Sequence, residues 1–354
     1  VGNQFEVGFM DSKRYYTVDK DGNITGYQNM IEDQSPGDIT KDENGNTLKG
    51  DEDEPYEIWC IEDLVAFSNM VNGEGIIIQN GKTTELTTST DFSNHTIVLK
   101  RNLNFKSKYS YENSERTDFG DINGDENDGN ILINEMTTGT GFKPIGYYNN
   151  ITTKSKSFAG VFDGNNNEIF NLYQSGLFKC VSGDVTIKNI SVHGISGMKN
   201  TFGIIYEARN IKTLNILNCR NYLDVTNSDG QRAGGIVTYL HTGNMNMINC
   251  INYGNIEGHV FGVGGFVGYA TNGIGTIKIE NSCNLGNINF NGSGISYSGA
   301  GGMIGLLQYS SIVIELNNVF SVGNIEGKAV YKANLIGYRS ELYKLLMYII
   351  LLMV

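Results

Sequence analysis

Residues able to do chemistry are sparse in this sequence, and most of them stand alone. The densest set is Asp121-Ile122-Asn123-Gly124-Asp125. Oxygen-bearing side chains at its first, third and fifth positions match the start of an EF-hand-type calcium loop. The match then fails. Glu126 stands where the sharp turn needs glycine, Leu132 stands where a bidentate glutamate should close the shell, and Glu135 comes three residues late. Asp121, Asn123 and Asp125 are therefore candidate calcium ligands, and the competing reading is a solvated loop rich in Asx turns. No other cofactor is expected. Asp163-Gly164-Asn165 reads as a turn.

Hydrolysis of a glycosidic bond needs two carboxyl groups facing one substrate. Only Glu257 and Glu326 recur at equivalent places, each after Asn-Ile, and a charged, solvent-facing corner explains both. None of the four histidines, His95, His193, His241 and His259, lies in an HExxH zinc signature. His241 and His259 flank turns and are expected to be exposed. Gly292-Ser293-Gly294 lacks the strand-to-helix setting of a nucleophile elbow. The chain is expected to carry no catalytic residue. Aromatic residues give a binding alternative: among 20 tyrosines, Tyr147, Tyr148, Tyr239 and Tyr269 are candidate contacts for a glycan. Tyr239 and Tyr269 follow equivalent Gly-Gly runs and should stack on each other, as core or as an outward strip.

The elements that must position these side chains are set by two repeated themes. One is a small-residue pair opening an apolar run: Gly203-Ile204-Ile205, Gly234-Gly235-Ile236-Val237, Gly264-Gly265-Phe266-Val267-Gly268, Gly301-Gly302-Met303-Ile304-Gly305 and, more weakly, Asn334-Leu335-Ile336-Gly337. The other is Asn249-Cys250-Ile251-Asn252-Tyr253-Gly254-Asn255-Ile256 and Asn281-Ser282-Cys283-Asn284-Leu285-Gly286-Asn287-Ile288, with degenerate copies at 218–223 and 318–325. Equivalent positions 203, 235, 265, 302 and 334 are separated by 32, 30, 37 and 32 residues. A fixed period in this range marks stacked repeats. Each period holds short β-branched or alternating pieces and no long helical pattern. The predicted fold is therefore all-β, a right-handed parallel β-helix (solenoid) with successive rungs about 4.8 Å apart. In that geometry Asn218, Asn249, Asn281 and Asn318 form one ladder and Asn221, Asn252 and Asn284 another. The asparagine amides are expected to bond to each other along the stack and to tolerate left-handed backbone angles, and glycine to supply positive φ where a rung turns sharply.

These two themes resemble the GLUG repeat of bacterial surface and secreted proteins. That repeat also accompanies immunoglobulin A peptidase domains and some autotransporter-like adhesins. The segment 158–172 resembles the rungs that commonly precede such repeats. The resemblance spans roughly Ile58 to Tyr338. It implies an extracellular or cell-surface protein of the pectin-lyase-like fold class, and it assigns no chemistry.

Composition narrows the partners. A net charge of −12 without a Lys/Arg cluster argues against nucleic acid or anionic lipid. The five cysteines, odd in number and widely spaced, argue against a disulfide framework, and Cys219 and Cys250 read as stacked small hydrophobes. No signal peptide opens the sequence, so an export signal is either absent or already removed.

In chain order, residues 1–49 form a small β-rich module with a hairpin around Asp19–Asn23 and an acidic linker. Residues 50–105 carry a capping helix, near Glu62–Val71, and the first rungs. Residues 106–157 are a polar loop excursion, 158–338 the repeats, and 339–354 an apolar tail. At ten residues that tail's apolar run is too short to span a membrane; it reads as a cap, an anchor remnant or an aberrant end. The expected function is a non-catalytic adhesive stalk for a glycan or a host or cell-surface protein. Two alternatives are a polysaccharide lyase or glycoside hydrolase of the pectate-lyase type, and a structural spacer of a larger peptidase or adhesin.

Overall fold

The computed structural model describes residues 7–8, 14–18, 24–29, 38–42, 45–59, 61–79, 82–105, 142–148, 156–226, 232–271, 273–292, 296–308, 311–340 and 345–348. These are nearly all β, with one α-helix, and most strand pairs are parallel. A small antiparallel sheet of Val7–Gly8, Arg14–Val18 and Ile24–Asn29 contains the hairpin expected near the start of the chain.

The main body consists of one 16-stranded sheet and two 4-stranded sheets. One repeat shows how the sequence builds all three. Ile256–Gly258 lies in one short sheet and Gly262–Gly264 in the other. The chain then turns at Gly264-Gly265 and enters the long sheet as Val267–Thr271 and Ile274–Asn284. Each piece pairs in parallel with its counterpart one repeat away. Ile205, Val237, Val267, Ile304 and Ile336 are successive partners, as are Val225, Ile256, Ile288 and Ile325. A single repeat could not bury its own apolar face, so in-register stacking is what creates the core. That core is one contiguous cluster from Ile39 and Ile58 to Ala329.

Helix α1 (Ile61–Asn72) covers the first strands. Its buried face, Ile61, Leu64, Phe67 and Val71, follows helical spacing. Phe67 meets Phe92, Phe158 and Phe162 at centroid distances of 5.1, 5.6 and 6.1 Å. The Asp63 carboxylate accepts a 2.8 Å hydrogen bond from the Trp59 backbone N–H, tying the first helical turn to the preceding strand. Residues 142–148 return to the sheet edge, where Ile145 bridges Phe178 in parallel, and Ser68 and Asn72 of the helix donate to the carbonyls of Lys143 and Pro144.

The corners show what each of the two themes does. Positive φ falls to asparagine at the ladder corner, where Asn189, Asn218, Asn249, Asn281 and Asn318 have φ of 55, 54, 56, 49 and 51°, and to glycine at other bends, with Gly243 and Gly327 at 108 and 95°. The short asparagine amides tolerate this region and hydrogen-bond along the stack, Asn218 to Asn189 at 2.9 Å, Asn249 to Asn218 at 3.1 Å and Asn318 to Asn281 at 2.8 Å. The paired glycines are needed for close approach instead. A Cβ on Gly203 would lie 1.7 Å from the Gly235 carbonyl oxygen, and one on Gly235 2.3 Å from that of Gly265 and 2.4 Å from the Asn252 Oδ1. The Gly-Gly and Asn themes are thus two sides of one contact.

Candidate functional site

The candidate site is a polar groove of about 310 Å³ over the short sheet Val225–Thr226, Ile256–Gly258, Ile288–Phe290 and Ile325–Gly327. Val225, Ile256 and Ile288 point into the core and fix the floor. Alternation along each strand turns the neighbouring positions outward. One outward row is Asp224, Asn255, Asn287 and Asn324. It is internally satisfied: the Asp224 Oδ1 accepts from the Asn255 N–H (2.8 Å), Asn255 Oδ1 from the Asn287 N–H (3.0 Å), and Asn287 Oδ1 from the Asn324 N–H (2.9 Å).

The second outward row is Thr226, Glu257, Asn289 and Glu326, successive partners in the sheet. Lys199 closes one end by pairing with Glu257, which also accepts a 2.7 Å hydrogen bond from Asn291. The Lys199 ammonium, followed by that amide, holds the Glu257 carboxyl below its ordinary range. Toward the other end, the Asn289 and Glu326 side chains make no hydrogen bond or ion pair with the described residues. Four positions at the ~4.8 Å strand spacing give a row about 14 Å long. Amides that both donate and accept, beside carboxylates that accept, match the hydroxyl groups of a sugar chain.

The two candidate carboxylates thus share one groove, with Asn289 between them, which places their backbones about 9.6 Å apart. Glu257 is held ionised, the opposite of what a general acid requires.

The predicted tyrosines fall in different settings. Tyr147 is 45% exposed. Tyr148 has its face on the Arg209 guanidinium at 3.5 Å. Tyr239 and Tyr269 stack at 5.1 Å, but only 7% and 6% of their surface is exposed. The Arg232 guanidinium lies 4.0 and 4.8 Å from these two rings, and Phe261, Tyr297 and Leu306 surround them. They form a satellite core whose ring faces are occupied by the protein.

His241, expected at an exposed turn, is half-buried with its ring centroid 3.8 Å from that of Tyr239. Burial, reinforced by Arg209 and Arg232, pushes its pKa down to about 3. Asp121, Asn123 and Asp125 lie outside the described residues. Among the described residues, no group of three or more His, Cys, Asp or Glu side chains is placed to hold a metal ion. Cys180, Cys219, Cys250 and Cys283 are free and buried.

Tyr222 and Tyr253, which recur at equivalent places in the sequence, belong to a longer aromatic ladder whose Phe170 and His193 the tyrosine spacing does not reveal. Phe170, His193, Tyr222 and Tyr253 stack at 4.6, 4.2 and 4.3 Å, with interplanar angles of 28, 8 and 4°. The signal was present, since His193 follows Val192 where Tyr222 follows Asn221 and Tyr253 follows Asn252. Stacking on one another consumes the ring faces, so this ladder presents edges rather than platforms.

No protein-family model matches the sequence, and no curated protein matches it. Among solved structures, one with the name "Crystal structure of a putative immunoglobulin A1 protease from Bacteroides ovatus" is similar at 16% identity, over 87% of this chain and 78% of that one, with a TM-score of 0.46. The similarity to the GLUG repeat accordingly rests on the repeat residues themselves. No helix among the described residues is long and apolar enough to cross a membrane.

Proposed function

We propose that the repeats wind as a right-handed parallel β-helix, and that the chain is a non-catalytic extracellular or cell-surface protein that binds a glycan along the groove. The observation that carries this reading is the outward row Glu257–Asn289–Glu326, in register, with Asn289 and Glu326 uncommitted inside a cavity. Cavities of roughly 300–1,000 Å³ are the usual size for small-ligand sites, so the groove takes a short stretch of glycan. The in-register parallel columns support a β-helix, and the usual right-handedness of parallel crossovers supports its hand. The GLUG-like repeat supports the surface location. The lyase or hydrolase alternative is weaker, because Glu257 is fixed as a carboxylate by Lys199 and Asn291. The spacer alternative leaves the uncommitted Asn289 and Glu326 without a purpose.

A glycan array with the full chain, paired with a cleavage assay on polygalacturonate and on any glycan bound, tests the reading. Binding should disappear in an Asn289→Ala, Glu326→Ala double variant whose melting curve is unchanged, and should persist in Tyr147→Ala. Binding that depends on Tyr147 alone, or any enzymatic turnover, overturns it.

A further inference from the structure

The charges along the polar groove do not balance. Among the described residues, Asp224, Glu257 and Glu326 line it against the ammonium of Lys199. That ammonium is engaged by one oxygen of Glu257, whose other oxygen accepts from Asn291. The Oδ1 of Asp224 accepts from both the backbone N–H and the side-chain amide of Asn255, at 2.8 and 3.0 Å. Glu326 differs from both. It is exposed on the last strand of the short sheet and has no such donor. Lys328 and Lys332 follow closely, yet neither pairs with it among the described residues, and the Lys332 ammonium donates to the Gly327 carbonyl at 3.1 Å. The outward row therefore runs from a neutralised carboxylate at Glu257, through the Asn289 amide, to an uncompensated carboxylate at Glu326.

This asymmetry acts on any ligand that lies along the row. A sugar carboxylate or sulfate would find its nearest cation already paired, and would face two negative groups within a strand spacing or two. A sugar ammonium opposite Glu326 would instead gain a charge-assisted hydrogen bond. Resting on the glycan-binding reading of this groove, we propose that Glu326 is its charge-selecting residue. The groove admits neutral and amino sugars, prefers a protonated amine at the Glu326 end, and turns away uronates and sulfated sugars. The amides supply hydroxyl recognition, and the uncompensated carboxylate supplies discrimination by repulsion. The same charge disfavours the pectate-lyase alternative, whose substrate is a chain of carboxylates.

Titration calorimetry on the full chain tests this with glucosamine, N-acetylglucosamine and galacturonate oligomers of equal length, at mildly acidic pH where the amines are protonated. Because Glu326 lies in water, the amine should improve affinity by only about two- to fivefold over the N-acetylated oligomer. That preference should shrink at high salt. The galacturonate oligomer should bind about tenfold more weakly than either. Glu326→Gln keeps a hydrogen-bonding side chain without the charge. It should abolish the amine preference, narrow the galacturonate gap and leave the N-acetylglucosamine oligomer bound.

An unchanged ranking in Glu326→Gln, or tightest binding of galacturonate by wild type, defeats charge selection, while the groove reading stands if Asn289→Ala still weakens binding. Binding that survives the Asn289→Ala, Glu326→Ala double variant defeats the groove reading itself. Silence with all three oligomers defeats both.

Discussion

At the helix α1 side, the stacked core meets Phe67, Phe92, Phe158, Phe162 and Phe178, all buried with rings in mutual contact. At the other side, Phe320 and Val322 of the last long strand are about half or more in water. Between them lie repeats whose cores are filled mostly by Ile, Val, Leu and Met, with single buried rings at Phe266 and Phe290, and whose corners are tied by asparagine. The difference reflects what each region packs against. A repeat flanked on both sides needs only side chains that match its neighbours, so aliphatic groups with an isolated ring suffice, and no cluster of rings forms in that core. The first strands have no preceding repeat of the same shape and are covered by a helix, whose round surface leaves space that only large rings fill.

If this contrast holds, Phe67→Ala should be more damaging than any change within the repeats. Loss of a fully buried ring shared by three others should cost about 3–5 kcal/mol, read from urea unfolding. A cost below about 1 kcal/mol would mean that the helix contributes little to the fold.

Asn252→Ala attacks the interior of the repeats instead. Asn252 is fully buried, accepts from Asn221 (2.8 Å), and donates to Asn284 (2.7 Å) and the Gly254 carbonyl (2.8 Å). Buried groups left unpaired cost ~1–3 kcal/mol each, so about 2–3 kcal/mol is expected in the same unfolding experiment.

The exposed corner should be more forgiving. Asn249→Ala leaves a side chain without the amide that eases the left-handed region to hold φ of 56° at a cost of ~1–2 kcal/mol, and Asn249→Gly should lose less than Asn249→Ala because glycine accepts positive φ. Equal losses for the two would show that the lost side-chain hydrogen bond, not backbone strain, decides this position.

The smallest effect at neutral pH is expected from His241. Its folded pKa of about 3 lies below the ordinary 6.5, so the unfolded chain binds the proton more readily. Stability therefore falls as pH drops from about 6.5 toward 3 and is unaffected above that window. Melting temperatures of wild type and His241→Gln, close at neutral pH, should separate as pH falls through this range, with wild type losing more. Parallel curves would show that another group carries the acid sensitivity.

The candidate site is only partly legible in the sequence. Glu257 and Glu326 stand out because each follows Asn-Ile, but that spacing cannot reveal that Asn289 sits between them or that Lys199 reaches across to neutralise one of them. Lys199 and Glu257 are 58 residues apart, and no local pattern joins them. Tyr239 and Tyr269 are paired by their place in the repeat, yet whether their faces are open depends on Arg232 and Phe261 from the neighbouring short sheet.

The sequence by itself determined the stacking. A period repeated in Gly-Gly and in Asn positions dictates which residue lies over which, because parallel strands at one spacing can only be satisfied in register. Tertiary structure alone decided the division of labour at the corners. The left-handed backbone fell to asparagine at the ladder corner and to Gly243 and Gly327 at other bends, while the paired glycines answer to close approach, since that depends on how near the next repeat's carbonyl comes. It also decided which outward rows are covered and which remain open to a ligand, because exposure is set by neighbouring repeats rather than by the residue's own.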